Sequence, residues 1–191
     1  MRRRKLNYIW RTLVFLLGVV SGNTASGQLS EPTVQTAEEE DLKVAFIYNF
    51  AKFSTWPPIA DGGEASVIRA CVYGRIDFQR RLGVIDGQPV GERTLRVFYL
   101  RDITEIPRCQ ILVVGQLEEE VLGVVLGATQ RFPILTVSDR PNFLARGGII
   151  EIFHEAQRLR FKVNFKRTQQ IGVKLSSKML KLAIIEEGAA E

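Results

Sequence analysis

One histidine and two cysteines in 191 residues close off several chemistries before any fold is considered. His154-Glu155 opens a zincin-like motif, but Arg158 stands where the second histidine ligand belongs, so a zinc peptidase cannot be assembled. The lone imidazole reads instead as a solvent-facing hairpin residue. Two cysteines are too few for a disulfide-scaffold miniprotein or a four-cysteine zinc site. Phosphate-cradling glycine motifs are missing; Gly62-Gly63 and Gly147-Gly148 read as turn pairs. Ser176-Ser177-Lys178 lacks the Ser-x-x-Lys spacing of penicillin-binding enzymes, and Asp77, Asp86, Asp102 and Asp139 are scattered. The residues therefore argue for no catalytic centre, no metal and no cofactor.

Acid is absent before Glu31, while Arg2, Arg3, Arg4, Lys5 and Arg11 crowd the start. The apolar run Leu13–Val20 follows, then the small-residue stretch Ser21–Gly27. That order is a secretory signal, and the run falls well short of the roughly 20 apolar residues that span a bilayer. The expected organisation is a cleaved signal over 1–27, a loose leader over 28–37, and one exported domain over 38–187. Without the five basic residues of the signal, Lys and Arg equal Asp and Glu at 21 each. The overall charge of +5 thus belongs to the signal, and nucleic-acid binding loses both its charge and its compartment.

Thr36-x-x-Glu39 has the form of a capping box, and Leu42, Phe46, Phe50 and Phe53 recur at helical spacing until Trp56-Pro57-Pro58. The pattern predicts a helix over 38–54. Asp61-Gly62-Gly63 predicts a turn. β-rich runs predict strands over 67–73, 94–100, 109–114 and 133–137, with helical segments over 77–82 and 117–129 between them. Gly123 and Gly127 share a helix face, which points to close packing of that helix on a sheet. Alternating strands and helices imply an α/β fold with a largely parallel sheet flanked by helices. Ile149–Phe153 and Arg158–Phe165, joined by a short polar link, imply a C-terminal β-hairpin. Asn164 is placed to cap a helix through Gln170, Gly172 to stop it, and 176–181 to add a further helical turn.

In an exported chain the two cysteines most simply form one bond, Cys71–Cys109, as a structural staple or a redox switch. From Arg158 to Lys181 there are eight basic residues and no acid. Arg158, Arg160 and Lys162 alternate with Leu159, Phe161 and Val163, which makes one basic and one apolar strand face. The basic face is a candidate docking surface for an acidic partner, unless Glu38–Asp41 neutralise it. Trp56, beside two prolines, is a candidate exposed anchor for the same partner.

Several segments together resemble the YfiR family of bacterial periplasmic proteins. They are Val44-Ala45-Phe46-Ile47-Tyr48-Asn49-Phe50-Ala51-Lys52-Phe53-x-x-Trp56-Pro57, Cys71-Val72-x-Gly74, Cys109-x-Ile111-Leu112-Val113, Leu135-Thr136-Val137-Ser138-Asp139, Phe143-x-Ala145-x-Gly147-Gly148, Arg160-Phe161-x-Val163-Asn164 and Gly172-Val173-x-Leu175-Ser176-Ser177. The resemblance implies an α/β periplasmic domain without known catalysis, which restrains a membrane diguanylate cyclase through its periplasmic sensor domain. That control acts on cyclic di-GMP and biofilm formation. An outer-membrane lipoprotein that sequesters the domain is a further implied partner, and a homodimer is left open. Cys71 and Cys109 match the family's recurring disulfide. A second cysteine pair found in some members near the Gly-Gly hairpin has no counterpart in Ala145–Glu155, which favours the staple. The competing expectation is a small-solute-binding domain serving a sensor kinase or transporter, with Ser138-Asp139 at a strand's carboxyl end.

Overall fold

Buried runs without alternation set the centre of the sheet. In the computed structural model, which describes residues 34–58, 66–156 and 158–186, β5 (Ile111–Val114) and β6 (Leu135–Ser138) are buried at every position. Strands covered on both faces commonly read as continuous apolar segments, as β5 does, whereas β6 buries Thr136 and Ser138 between its apolar residues. Around them runs an eight-stranded sheet in the order β10-β8-β7-β6-β5-β2-β4-β3. Its remaining members are β2 (Val67–Tyr73), β3 (Pro89–Val90), β4 (Arg93–Tyr99), β7 (Ile150–Glu155), β8 (Arg158–Asn164) and β10 (Ile184–Glu186). Pairing is parallel from β4 through β7 and between β8 and β10, and antiparallel for β3–β4 and the β7–β8 hairpin. A separate two-stranded ladder joins β1 (Ser54–Thr55) to β9 (Lys174–Leu175). The described residues lie in one compact unit, Pro32–Glu191. The expected signal, the leader to residue 33 and the Asp61-Gly62-Gly63 turn lie outside the described residues.

Two apolar layers cover the sheet. On one face α1 (Val34–Lys52) buries Val44, Ile47, Phe50 and Ala51 against Ile68, Leu95, Ile111, Val137, Ile152 and Phe161. Phe46, Phe50 and Phe161 form an aromatic trio, with Phe161 5.5 and 5.0 Å from the other two ring centroids. On the other face α2 (Glu119–Thr129) sets Leu122, Val125 and Leu126 over Cys71, Leu112 and Val114, beside the 3-10 turn Ile103–Arg108. That turn carries its own capping box, Asp102 accepting from Thr104 and Glu105 from the Asp102 amide.

Two details depart from the expectations. Helix α1 begins at Val34, so Thr36 lies within the helix and not at its start, where the capping-box pattern had placed it. Gly123 and Gly127 do not pack on the sheet: both are exposed, and a Cβ at either would meet nothing within 4 Å. The buried side of α2 is carried by its larger residues instead. Near the end of the chain, Asn164 accepts from the Arg167 amide to start α3 (Phe165–Gln170), and Ser176 accepts from Met179 to start α4 (Ser177–Leu180).

Candidate partner-binding surface

The hairpin register decides what surrounds each basic residue of β8. Arg158 faces Glu155, Arg160 faces Phe153, and Lys162 faces Glu151; the intervening pairs His154/Leu159, Ile152/Phe161 and Ile150/Val163 turn toward α1. Residues directly opposite in an antiparallel pair share a sheet face, so the basic side chains stand among acids and one aromatic ring. Arg160 Nη1 donates to Glu155 Oε2 at 2.7 Å. Lys162 Nζ lies 2.9 Å from Glu186 Oε1 on β10 and 5.1 Å from the Phe153 ring centroid. The hydrogen bond to Glu186 raises the Lys162 pKa above its ordinary value. Arg160, Lys162, Phe153 and Ile184 are part-buried and Arg158 is exposed. Glu151 is buried and accepts from the Leu144 amide.

Neutralisation of this face therefore comes from Glu155 and Glu186, not from the acids of α1. Glu40 and Asp41 hold Arg81, and Glu39 holds Lys43. A segment without acids looks uniformly basic in sequence because its partners sit on adjacent strands. Phe153 and Glu186 were not identified from sequence. The parity of Glu151, Phe153 and Glu155 could have revealed the first, but a three-residue strand at the sheet edge leaves almost no signal for the second.

Trp56 lies elsewhere. It is 9% exposed, belongs to the apolar cluster under α1, and its indole N–H donates to Gln110 O at 3.1 Å. The expectation of an exposed anchor is corrected: the β1–β9 ladder folds this segment inward, and the backbone carbonyl satisfies the only polar group of the ring. The structure groups Arg158, Arg160 and Lys162 and leaves Trp56 out of that surface.

At the carboxyl ends of the central strands the polar groups are engaged within the domain. Ser138 Oγ donates to Val114 O at 2.7 Å, and Asp139 accepts from Lys43 Nζ at 2.9 Å. Between β2 and β5, where the chain's direction across the sheet reverses, Gly115 N donates to Tyr73 O and Gln116 N to Arg75 O. Backbone pairing thus carries the β2–β5 ladder past the ends of both strands. Among the described residues no three His, Cys, Asp or Glu side chains come together as metal ligands, and no helix is long and apolar enough to cross a membrane.

Lys43 also ties α1 to the β6 end. Burial alone would lower its pKa, but hydrogen bonds to Asp139 and Glu39 outweigh that and raise it; the same contact with Lys43 lowers the pKa of Glu39, which also meets His154 Nε2 at 3.1 Å. Glu39 has its depressed pKa in the folded state, so its contribution is present above the ordinary glutamate pKa of about 4.3 and lost as pH falls through the folded value. Lys43 has a raised folded pKa, so its contribution is present below about 10.4 and lost as pH rises through the folded value. Lys43→Met is expected to cost about 1–3 kcal/mol near neutrality. The stability gap between the two proteins should narrow at both pH extremes. A gap unchanged at pH about 3 in thermal melts would show that the ion pairs contribute nothing.

The class so defined is a disulfide-stapled α/β domain, mostly parallel, whose C-terminal hairpin leaves one charged sheet face open. Residues 40–184 match the family described as YfiR/HmsC-like, and the chain belongs to that family. No curated protein matches the chain.

Proposed function

We propose that the protein is a periplasmic regulatory binding protein that restrains a membrane signalling enzyme of the diguanylate cyclase type by contacting its periplasmic domain. Membership of the YfiR/HmsC-like family supports this reading, as does the basic-then-apolar start of the sequence, which suits export. The observation that carries it is the open face of β8, where Arg158, Arg160 and Lys162 stand around Phe153. Phe153 supplies apolar contact area, and the paired charges around it supply directional contacts that a partner with complementary charges can match. Glu155 and Glu186 hold two of the cations in place, which lowers the entropy lost when a partner carboxylate arrives.

Restraint of the enzyme is a population shift. The bound domain favours the inactive conformation by as much as it binds that conformation more tightly than the active one. An outer-membrane lipoprotein that competes for the domain would release the enzyme by mass action. No nucleotide site is required on this chain, since the cyclase chemistry lies across the membrane.

Arg160→Glu is expected to weaken capture of the membrane partner by tenfold or more, about 1.4 kcal/mol. The melting temperature should hardly move, because the Arg160–Glu155 pair is exposed and such pairs contribute at most about 1 kcal/mol. Affinity pull-down from membranes, followed by titration with the recovered periplasmic domain, checks both. Undiminished capture by the variant would remove β8 from the interface, and recovery of no membrane protein even with crosslinking would count against the regulatory reading.

A further inference from the structure

Far from β8, on the side of the sheet that α2 covers, β2 and β4 carry a pair of arginines that the fold does not explain. Cys71 of β2 lies in the layer beneath α2, and side chains alternate along a strand, so Arg69 stands on the same face. Phe98 of β4 packs against that layer too, which puts Arg96 beside it by the same parity. Arg69 and Arg96 are direct partners in the parallel β2–β4 register. Arg96 is exposed, and Arg69 and Phe98 are part-buried. Like charges set opposite one another on neighbouring strands repel, so the pair by itself destabilises the sheet.

The two arginines are held in place but not neutralised. Arg69 lays its guanidinium over the Phe98 ring, 3.6 Å from carbon to centroid, and its Nε is buried without a hydrogen-bond partner among the described residues. Gln110, next in the row on β5, accepts from the Arg69 amide and brings no charge. Among the described residues Asp86 is the one acid paired with either arginine: it accepts from Arg96 Nε at 3.1 Å, and the same oxygen accepts from the Val97 amide. One positive charge stays unanswered, on a guanidinium already fixed by stacking. We infer that Arg69 and Arg96 form a binding site for a phosphate group, carried by a phospholipid headgroup or by a free phosphate ester. A tetrahedral phosphate offers oxygens in several directions, so guanidinium groups from two adjacent strands can each donate to it, whereas one fork fills a planar carboxylate. Phe98 orders Arg69 in advance, which lowers the cost of binding. The site shares no residue with the β8 face and does not rest on the function proposed for that face.

Titration of the exported protein with inorganic phosphate, from about 0.1 to 30 mM at constant ionic strength, tests the inference, with the Arg69 Nε–H resonance as reporter. A saturable shift of that resonance is expected, and chloride at the same ionic strength should give none. Arg96→Gln should weaken binding tenfold or more at an unchanged melting temperature, since Arg96 is exposed. Arg69→Lys keeps the charge but loses the fork, and should weaken binding as much, read on the Phe98 and Gln110 amides. Asp61→Asn/Glu64→Gln, which removes the acids of the segment before β2, should leave binding within about threefold. Vesicles of phosphatidylglycerol separate the two sources. Co-sedimentation that Arg96→Gln abolishes assigns the lipid headgroup, and phosphate binding without co-sedimentation assigns a free phosphate ester. No saturable shift, or binding indifferent to both arginine variants, would overturn the site. So would binding found only in the Asp61→Asn/Glu64→Gln protein, since the chain's own acids would then answer the arginines.

Discussion

Loss of the Cys71–Cys109 bond, by replacing both residues with alanine, is expected to destabilise the folded protein by about 2–5 kcal/mol. The bond joins the middle of β2 to the residue that leads into β5, across a sequence separation of 38. Closing a loop of that length restricts the unfolded chain, which is the larger part of the effect in the entropic account. Both residues also belong to the apolar layer beneath α2, with Ile106, Leu112, Leu122 and Val125, so alanine leaves cavities as well. Cys71 is 0% and Cys109 3% exposed. Thiol–disulfide exchange needs an attacking thiolate at the sulfur, so a reductant should act only on molecules that have opened. Alkylation followed by mass spectrometry should show reduction in dithiothreitol proceeding no faster than unfolding. Reduction within minutes at full native signal would instead make the bond a switch.

Gly115→Ala is expected to be the most damaging glycine substitution, at least about 2 kcal/mol and enough to reduce recovery of folded protein. A Cβ there would stand 2.3 Å from Arg75 O, 2.7 Å from its carbonyl carbon and 2.9 Å from its nitrogen. These are backbone atoms held by the Gly115–Tyr73 and Gln116–Arg75 hydrogen bonds, and no rotamer change relieves the overlap. The central β2–β5 pairing would have to separate. Gly123→Ala is the control from the same region of chain: in open space on a helix it should raise monomer stability by up to about 1 kcal/mol. Chemical denaturation of the three proteins ranks them. Equal stability of the Gly115 variant and wild type would mean that the strand ends separate at little cost.

Most of the α/β architecture was legible along the chain because it rests on local signals. The β2 boundaries, Val67–Tyr73, agree with the β-rich run that predicted them, and the hairpin, the Asn164 cap and the helical turn near 176–181 stand where short-range chemistry puts them. Less was legible of strands whose pairing is long-range. β3, β9 and β10 have two or three residues each, too few for a period, and exist because a neighbouring strand supplies their hydrogen bonds. The candidate site divided in the same way. Alternation in β8 placed Arg158, Arg160 and Lys162 on one face, but the acids and the ring among them come from β7 and β10.

By itself, then, the amino-acid sequence determined the order of the longer strands and helices, the two-faced character of β8, the single available cysteine pairing and the poverty of catalytic groups. These follow from periodicity, capping and composition, each decided within a few residues or by counting. Tertiary structure alone decided that Trp56 lies inward, that Gly115 sits against the Arg75 backbone while Gly123 and Gly127 face open space, and that Glu186 answers Lys162. Burial and pairing of this kind depend on which distant segment arrives beside a residue, and packing of the whole sheet and its two layers fixes that arrival.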